Sequence, residues 1–300
     1  MISQNNLNFK IKLNEPISKH TTWKLGGNSL FFSSPTNSEE LLSMLDFVQK
    51  ENVDYYLLGK GSNVLFPDEG FPGMVINMTN FEKDYFKIDG ETVEVSAGMS
   101  NLVFIKNCAE HGLGGLEFLA SIPGTLGGSV VQNAGFSRIK GQSNEIGDYV
   151  EEVVVITRSG ELKNIFKEDI AFSYRDSNLR DYIVIRVKLK GVKSKKELIQ
   201  NESTQNFEYR KRVQDLQHPT SGSVFKNPKE LNFSSGQLIE KVGLKGHRIG
   251  GAQISEKHAN FFINIGNAKA SEMMELIKLA KNKVFEEFGV WLEEEVRCIR

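Results

Sequence analysis

Only two of the 300 residues are cysteine, Cys108 and Cys298, and no CxxC pair occurs. That excludes a disulfide framework and a cysteine-based metal knuckle, and it reads as buried thiols in a reducing cytoplasm. Neither sign of charge is in excess: 37 basic and 38 acidic side chains leave a formal net charge of -1. A duplex-binding surface carries a strong basic surplus, so nucleic acid is not the expected partner. The five histidines, at 20, 111, 218, 247 and 258, show no ligand spacing and no HExxH pair, so no metal site is expected. Met1 to Lys12 is polar and lacks the apolar core of a signal peptide. Phe118 to Ser137 is uncharged and long enough for a membrane span, but it holds Pro123 and four glycines. Such a composition suits a ligand loop, and no membrane association is expected.

Glycine is plentiful and uneven, with seventeen of 27 in residues 1–150 and ten in 151–300. Clustered glycines let a backbone approach a ligand, and the first half reads as a cofactor-binding region or, equally from the residues, a turn-rich β domain. Apolar spacing predicts helices over 38–52 with Ser38 as N-cap, over 100–111 closed by Gly112, over 193–214, and over 271–288 closed by Gly289. In the last, Met274, Ile277, Val284, Phe285 and Phe288 are expected to face the core. Strands are predicted at 55–58, 74–77, 93–97, 153–157, 182–190, 249–255, 259–265 and 290–299, and a loop at 220–228. The mixture gives an α+β fold.

Familiar nucleotide signatures fail. After Gly59 and Gly61 the dinucleotide fingerprint requires a third glycine where Val64 stands, and Gly59-Lys60 lacks the following Ser or Thr of a P-loop. Two glycine-rich segments remain. Gly59-Lys60-Gly61-Ser62-Asn63 follows a strand and would expose consecutive N–H groups to a pyrophosphate, although a tight turn fits as well. Ser121-Ile122-Pro123-Gly124-Thr125-Leu126-Gly127-Gly128, continuing to Asn133-Ala134-Gly135, leads into a helix start suited to an anion. Together they favour a loop-bound dinucleotide. Arg175, Ser223 and Glu295 each have a bland reading taken singly: ion-pair partner, turn residue and solvated edge charge.

In order along the chain, several segments carry a resemblance: His20–Gly27, Gly59–Asn63, Gly115-Leu116-Glu117, Ser121–Gly128, Asn133-Ala134-Gly135, Tyr174-Arg175-Asp176-Ser177, Gly222–Pro228, Gly250–Gln253, His258–Phe261 and Leu292–Arg297. This series resembles the MurB family of UDP-N-acetylenolpyruvoylglucosamine reductases. The resemblance implies a non-Rossmann FAD-binding module in two parts, 1–78 and 79–192, and a C-terminal α+β substrate-binding domain, 193–300. It implies non-covalent FAD, held through Gly59, Lys60, Gly61, Ser62, Asn63, Ser121, Pro123, Gly124, Thr125, Gly127, Gly128, Asn133, Ala134 and Gly135. It also implies NADPH as hydride donor and reduction of an enolpyruvyl sugar nucleotide for peptidoglycan synthesis, by a cytoplasmic monomer.

By the same resemblance, Arg175 stabilises the enolate, Glu295 is the acidic partner at that end, and Ser223 is the proton donor. Tyr174, Lys226, Asn227 and Gln253 match substrate-contacting positions. Gln214-Asp215-Leu216 departs from the family's Gln-Pro-Leu beside the cations Arg210, Lys211 and Arg212. The short stretch between Arg175 and the next strand matches the subclass without a substrate-stacking tyrosine loop. An alcohol-oxidising flavoenzyme of the same fold would explain the glycines but not the joint occurrence of Arg175, Ser223 and Glu295. A non-catalytic flavin-binding module would tolerate changes at Ser223.

Overall fold

The computed structural model describes residues 7–136, 138, 144–229 and 231–299, so the first residues of the polar N-terminus and Ser137 lie outside the described residues. The chain is mixed α and β and divides into two compact units. The first comprises Phe31–Lys60 and Gly73–Tyr209 with the N-terminal residues up to Lys12; the second comprises Leu13–Leu30, Gly61–Pro72 and Arg210–Arg300. Among the described residues no helix is long and apolar enough to cross a membrane.

In the first unit, helix α1 (Ser38–Lys50) buries Leu41, Met44, Leu45, Phe47 and Val48, the stripe its sequence spacing requires. Its N-cap is Asn37 rather than Ser38. Asn37 is extended and accepts the Glu40 N–H at 2.9 Å, whereas Ser38 already lies inside the helix. Tyr55–Leu58 pairs in parallel with Met74–Asn77. A five-stranded antiparallel sheet follows, in the order Leu162–Phe166, Val150–Ile156, Ile183–Lys190, Thr92–Ser96, Phe86–Asp89. Helices α2 (Asn101–Glu110) and α3 (Leu126–Val131) share its core, in which Val95, Phe104, Leu126, Val130, Val153 and Val187 are buried. Cys108 is fully buried there, and burial pushes its thiol pKa up, so it is an inert core group. Helix α4 (Lys196–Val213) is the predicted polar helix.

The second unit is built on a four-stranded antiparallel sheet, in the order Thr220–Ser223, Phe261–Asn264, Ala252–Ile254, Arg248–Ile249. Thr220–Ser223 is thus an edge strand, not a loop. Its small polar residues carry no strand pattern, but pairing with Phe261–Asn264 supplies the backbone partners. Helices α5 (Ser235–Lys241) and α6 (Ala270–Phe288) cover this core, and α6 ends at Gly289 with φ +66. Met273, Leu276, Ile277, Ala280 and Val284 are buried on α6, while Phe285 is 50% exposed. Phe285 lies about 100° around the helix from the buried Val284, and its ring meets Trp291 edge-on at 5.4 Å. The predicted final strand contracts to Arg297–Cys298, paired in parallel with Val64–Leu65.

Two long-range contacts lock the second unit. Trp23 is fully buried, and its Nε1 donates to Phe262 O at 2.7 Å. Asp68 accepts the N–H groups of Ala270 at 2.7 Å and Ser271 at 3.0 Å, placing a carboxylate on the positive end of α6.

Candidate active site

In the first unit, Arg175 occupies the tip of a tight hairpin. Phe172-Ser173 pairs with Asp176-Ser177, leaving Tyr174 and Arg175 as the turn. Arg175 has φ +59, a left-handed conformation that favours glycine and costs an arginine roughly 1 kcal/mol or more. Its guanidinium lies 4.9 Å from the Tyr174 ring centroid. Nη1 donates to Glu145 Oε1 at 3.2 Å, and Nη2 donates to Gly135 O at 2.9 Å. Asn133 Nδ2 donates to Glu145 Oε2 at 2.8 Å and to Ser173 O at 2.9 Å. The fold therefore brings Tyr174, Arg175, Asn133 and Gly135 together, with Ala134 N donating to Ser129 O nearby. Glu145 was not singled out by sequence reasoning. Burial pushes its carboxyl above the usual carboxylate range, against the opposing pull of Arg175 and Asn133. Its one local signal was a capping box with Asp148.

The glycine-rich segment of the same unit is more tightly built than a bare anion cradle. Thr125 caps α3, accepting the Gly128 N–H at 3.4 Å. The N–H groups of Leu126 and Gly127 are already donated to Met99 O and Ala97 O. A Cβ on Gly127 would lie 2.7 Å from the Ala97 Cβ, so this glycine lets α3 sit against the sheet. A Cβ on Gly128 would meet nothing closer than 3.4 Å, which leaves that face open. Ser121 is buried and donates its hydroxyl to Phe118 O at 3.1 Å, and Gly124 O accepts the Asn101 N–H. The Gly59 Cβ position lies 2.7 Å from Thr125 Oγ1, so Gly59 packs against this segment.

In the second unit, Gly61 has φ +62, and a Cβ there would lie 2.3 Å from His20 O. Among the described residues, the N–H groups of Lys60, Gly61 and Asn63 meet no protein acceptor. N–H groups left unpaired within one tight turn are a donor set for phosphate oxygens, so the turn fits a dinucleotide pyrophosphate. Asn63 also reaches the C-terminal segment: its Nδ2 donates to Glu295 O at 3.0 Å, and its carbonyl accepts the Arg297 N–H.

Ser223 ends the edge strand, after Gly222 with φ +77. Its hydroxyl has no hydrogen-bond partner among the described residues, unlike Thr220, whose Oγ1 donates to Phe262 O at 2.9 Å. The next carbonyl, Val224 O, accepts the Glu295 N–H at 2.8 Å, which sets Ser223 and Glu295 in one neighbourhood. Asn260 fixes this segment. Its side chain accepts the Phe225 N–H at 3.0 Å and donates to Phe225 O at 2.8 Å. Lys226, 15% exposed, donates to Glu293 at 2.6 Å. Asn227 Oδ1 accepts the Ser235 N–H at 3.1 Å, at the start of α5, and Gln253 donates to Gly246 O at 3.1 Å.

The Gln214-Asp215-Leu216 departure is accommodated locally. Asp215 accepts from the Gln217 N–H, lies 3.0 Å from His218 Nδ1 and takes the Ser255 hydroxyl at 3.0 Å. These bonds constrain a turn that proline would otherwise restrict. Arg210 is buried, its guanidinium pKa lowered by burial to about 10, and its Nε donates to Gln214.

Comparison with known proteins places this geometry. A family model for an FAD binding domain matches residues 30–165, and one for the C-terminal domain of UDP-N-acetylenolpyruvoylglucosamine reductase matches residues 214–299. A reductase of that name from Halalkalibacterium halodurans is 37% identical over 97% of this chain and 94% of its own length. One from Moorella thermoacetica is 38% identical over 98% of this chain and 94% of its own. The crystal structure of UDP-N-acetylenolpyruvylglucosamine reductase (MurB) from Thermus caldophilus aligns with a TM-score of 0.80 at 33% identity, covering 98% of this chain and 99% of that one. An FAD-binding domain joined to the C-terminal domain of a reductase defines a flavin-dependent oxidoreductase. The chain belongs to the UDP-N-acetylenolpyruvoylglucosamine reductase family.

Proposed function

We propose that the chain reduces UDP-N-acetylglucosamine enolpyruvate to UDP-N-acetylmuramate, a step of peptidoglycan precursor synthesis, with NADPH as the electron source. Bound FAD would supply the hydride-carrying chemistry between NADPH and the terminal carbon of the enolpyruvyl ether. Lys60, Gly61 and Asn63 would hold its pyrophosphate through backbone N–H groups, with the open face at Gly128 on the second glycine-rich segment. Ser62, Ser121, Pro123, Gly124, Thr125 and the Asn133–Gly135 stretch complete the proposed cofactor set.

The roles of the chain's own residues follow from charge. Hydride addition pushes the double-bond electron pair onto the neighbouring carbon and its carboxylate. A fixed guanidinium at Arg175 stabilises the resulting enolate, a contribution often worth about 3–4 kcal/mol for one donor. Ser223 gives its hydroxyl proton to that carbon, completing the lactyl ether, and regains a proton from solvent. Serine is a weak acid, but a carbanion-like centre is a strong enough base to take its proton. Glu295 is the acidic partner in this reading, and Tyr174, Lys226, Asn227 and Gln253 contribute to substrate binding. The observation that carries this reading is the Ser223 hydroxyl, unclaimed by the described residues beside a backbone that holds Glu295.

The same reading takes the working form as a cytoplasmic monomer with functional parts at 1–78, 79–192 and 193–300. Cys108 is a buried thiol, in keeping with a reducing compartment. The test is NADPH consumption by the purified flavoprotein. It should depend on the enolpyruvyl sugar nucleotide and yield a product heavier by two hydrogens. Consumption without that product would overturn the assignment.

A further inference from the structure

An arginine at a positive φ needs something to hold its side chain as well as its backbone. The hairpin tip does neither alone, because a long side chain on a short turn retains wide rotamer freedom. The restraint comes from a distant segment. Glu145 Oε1 accepts from Arg175 Nη1 at 3.2 Å, while Glu145 Oε2 accepts from Asn133 Nδ2 at 2.8 Å. The Asn133 amide also donates to Ser173 O at 2.9 Å and accepts the Gly147 N–H at 3.0 Å. One carboxylate thus connects the guanidinium to an amide that grips the base of the same hairpin. The two charged side chains are only 17% and 19% exposed.

The surrounding backbone leaves little room for another arrangement. A Cβ at Gly135 would lie 2.5 Å from Asn144 O and 2.9 Å from Glu145 Cγ. A Cβ at Gly147 would lie 2.7 Å from the Phe172 ring and 2.8 Å from Asn133 Oδ1. Two glycines are therefore spent on bringing Glu145, Asn133 and the hairpin together. That is more construction than a surface ion pair requires.

We propose that Glu145 is the positioning residue for Arg175 in the reduction of substrate, orienting the guanidinium before negative charge develops. The proposal rests on the reading of Arg175 given above. Glu145 contacts no reacting atom and acts through Arg175. Its benefit is preorganisation: a charge already in place stabilises the enolate without reorganising as it forms. A carboxylate beside a guanidinium also partly cancels its charge. Were neutralisation the dominant effect, removing Glu145 would speed the step; positioning predicts that removal slows it.

The experiment uses the FAD-loaded enzyme in anaerobic stopped flow, with flavin reduction by NADPH and reoxidation by the enolpyruvyl sugar nucleotide followed separately. The proteins are wild type, Glu145→Gln, Glu145→Ala, Arg175→Ala and the Arg175→Ala/Glu145→Gln double variant. Glu145→Gln keeps the side-chain size and one of the two acceptor bonds. It should retain flavin and normal reduction, while saturated reoxidation slows roughly tenfold, and Glu145→Ala should approach a hundredfold. In the Arg175→Ala background, Glu145→Gln should change reoxidation by less than about twofold, because the interaction it serves is gone.

Four results overturn the proposal: normal or faster reoxidation in Glu145→Gln when Arg175→Ala is slow; equal losses in both half-reactions with loss of flavin; an undiminished effect in the Arg175→Ala background; or normal reoxidation in Arg175→Ala itself. The last refutes the reading of Arg175, whereas the first three leave that reading standing and reject Glu145 alone.

Discussion

Replacing Ser223 with alanine removes one hydroxyl and almost no volume. Among the described residues that hydroxyl makes no hydrogen bond, so no buried partner is orphaned. The strand that carries it is held by backbone pairing with Phe261 and by Asn260 on Phe225, none of which involves the side chain. The stability change should therefore stay within about 0.5 kcal/mol, the range of substitutions without a named packing role. The catalytic change should be far larger. Loss of a general acid slows a step by roughly a hundredfold to ten-thousandfold, which at about 1.36 kcal/mol per decade is ~2.7–5.4 kcal/mol of barrier. The decisive feature is that this penalty falls on one half-reaction. Thermal unfolding and flavin absorbance should match wild type, NADPH should bleach the flavin at the wild-type rate, and reoxidation by the enolpyruvyl sugar nucleotide should be slow. Ser223→Cys should lose less, since a thiol also donates a proton. If Ser223→Ala is reoxidised at the wild-type rate, the serine has no part in the chemistry.

Arg175→Ala should slow reoxidation by roughly two to three decades, the cost of one oxyanion donor, and leave reduction by NADPH nearly unchanged; equal losses in both would indicate a folding role. Gly128→Val should lower flavin content with little change in melting temperature, whereas Gly127→Val should destabilise the protein, because its Cβ would strike Ala97; similar behaviour of the pair in flavin titration and calorimetry would refute this distinction. Asp68→Asn should cost about 0.3–1 kcal/mol, the contribution of a negative charge at a helix N-terminus. Burial raises the Asp68 pKa, but hydrogen bonds from Ser271 and Ala270 and the charge of Lys269 outweigh it and hold the carboxyl below its ordinary value. A folded-state pKa below the unfolded one gives stability that is complete above the ordinary aspartate range, near ~3.9, and lost as pH falls through the folded value. Asp68→Asn should therefore flatten the acid limb of the stability curve, and an unaltered limb in urea titrations at several pH values would contradict the cap.

The elements most legible in the sequence were those whose burial imposes a period. Helix α1, with Leu41, Leu45 and Val48, and helix α6, with Ile277 and Val284, lie where the spacing puts them. The edge strand Thr220–Ser223 was not legible, because a Thr-Ser-Gly-Ser strand has no hydrophobic pattern and exists through its pairing partner. Phe285 misled because residue type was read without its angle around the helix. The C-terminal strand was read too long, since its alternation of Leu292 and Val296 with polar residues arises from an irregular segment pinned to Val224 O. In the site, motif residues could be picked from the chain, but Glu145 could not. Its partner lies 30 residues away, and the contact exists only once the hairpin at Arg175 folds back. Gly127 illustrates the converse. A glycine chosen as a ligand contact is required in the first place by Ala97.

The central claim is that one bound flavin takes electrons from NADPH and gives them to the enolpyruvyl sugar nucleotide. The direct measurement is the absorption band of the purified protein under anaerobic conditions. Stoichiometric NADPH should bleach the flavin band, and one equivalent of the enolpyruvyl sugar nucleotide should restore it as UDP-N-acetylmuramate appears. A reduced flavin that stays bleached with that substrate, yet recovers its colour when oxygen is admitted, would contradict the account.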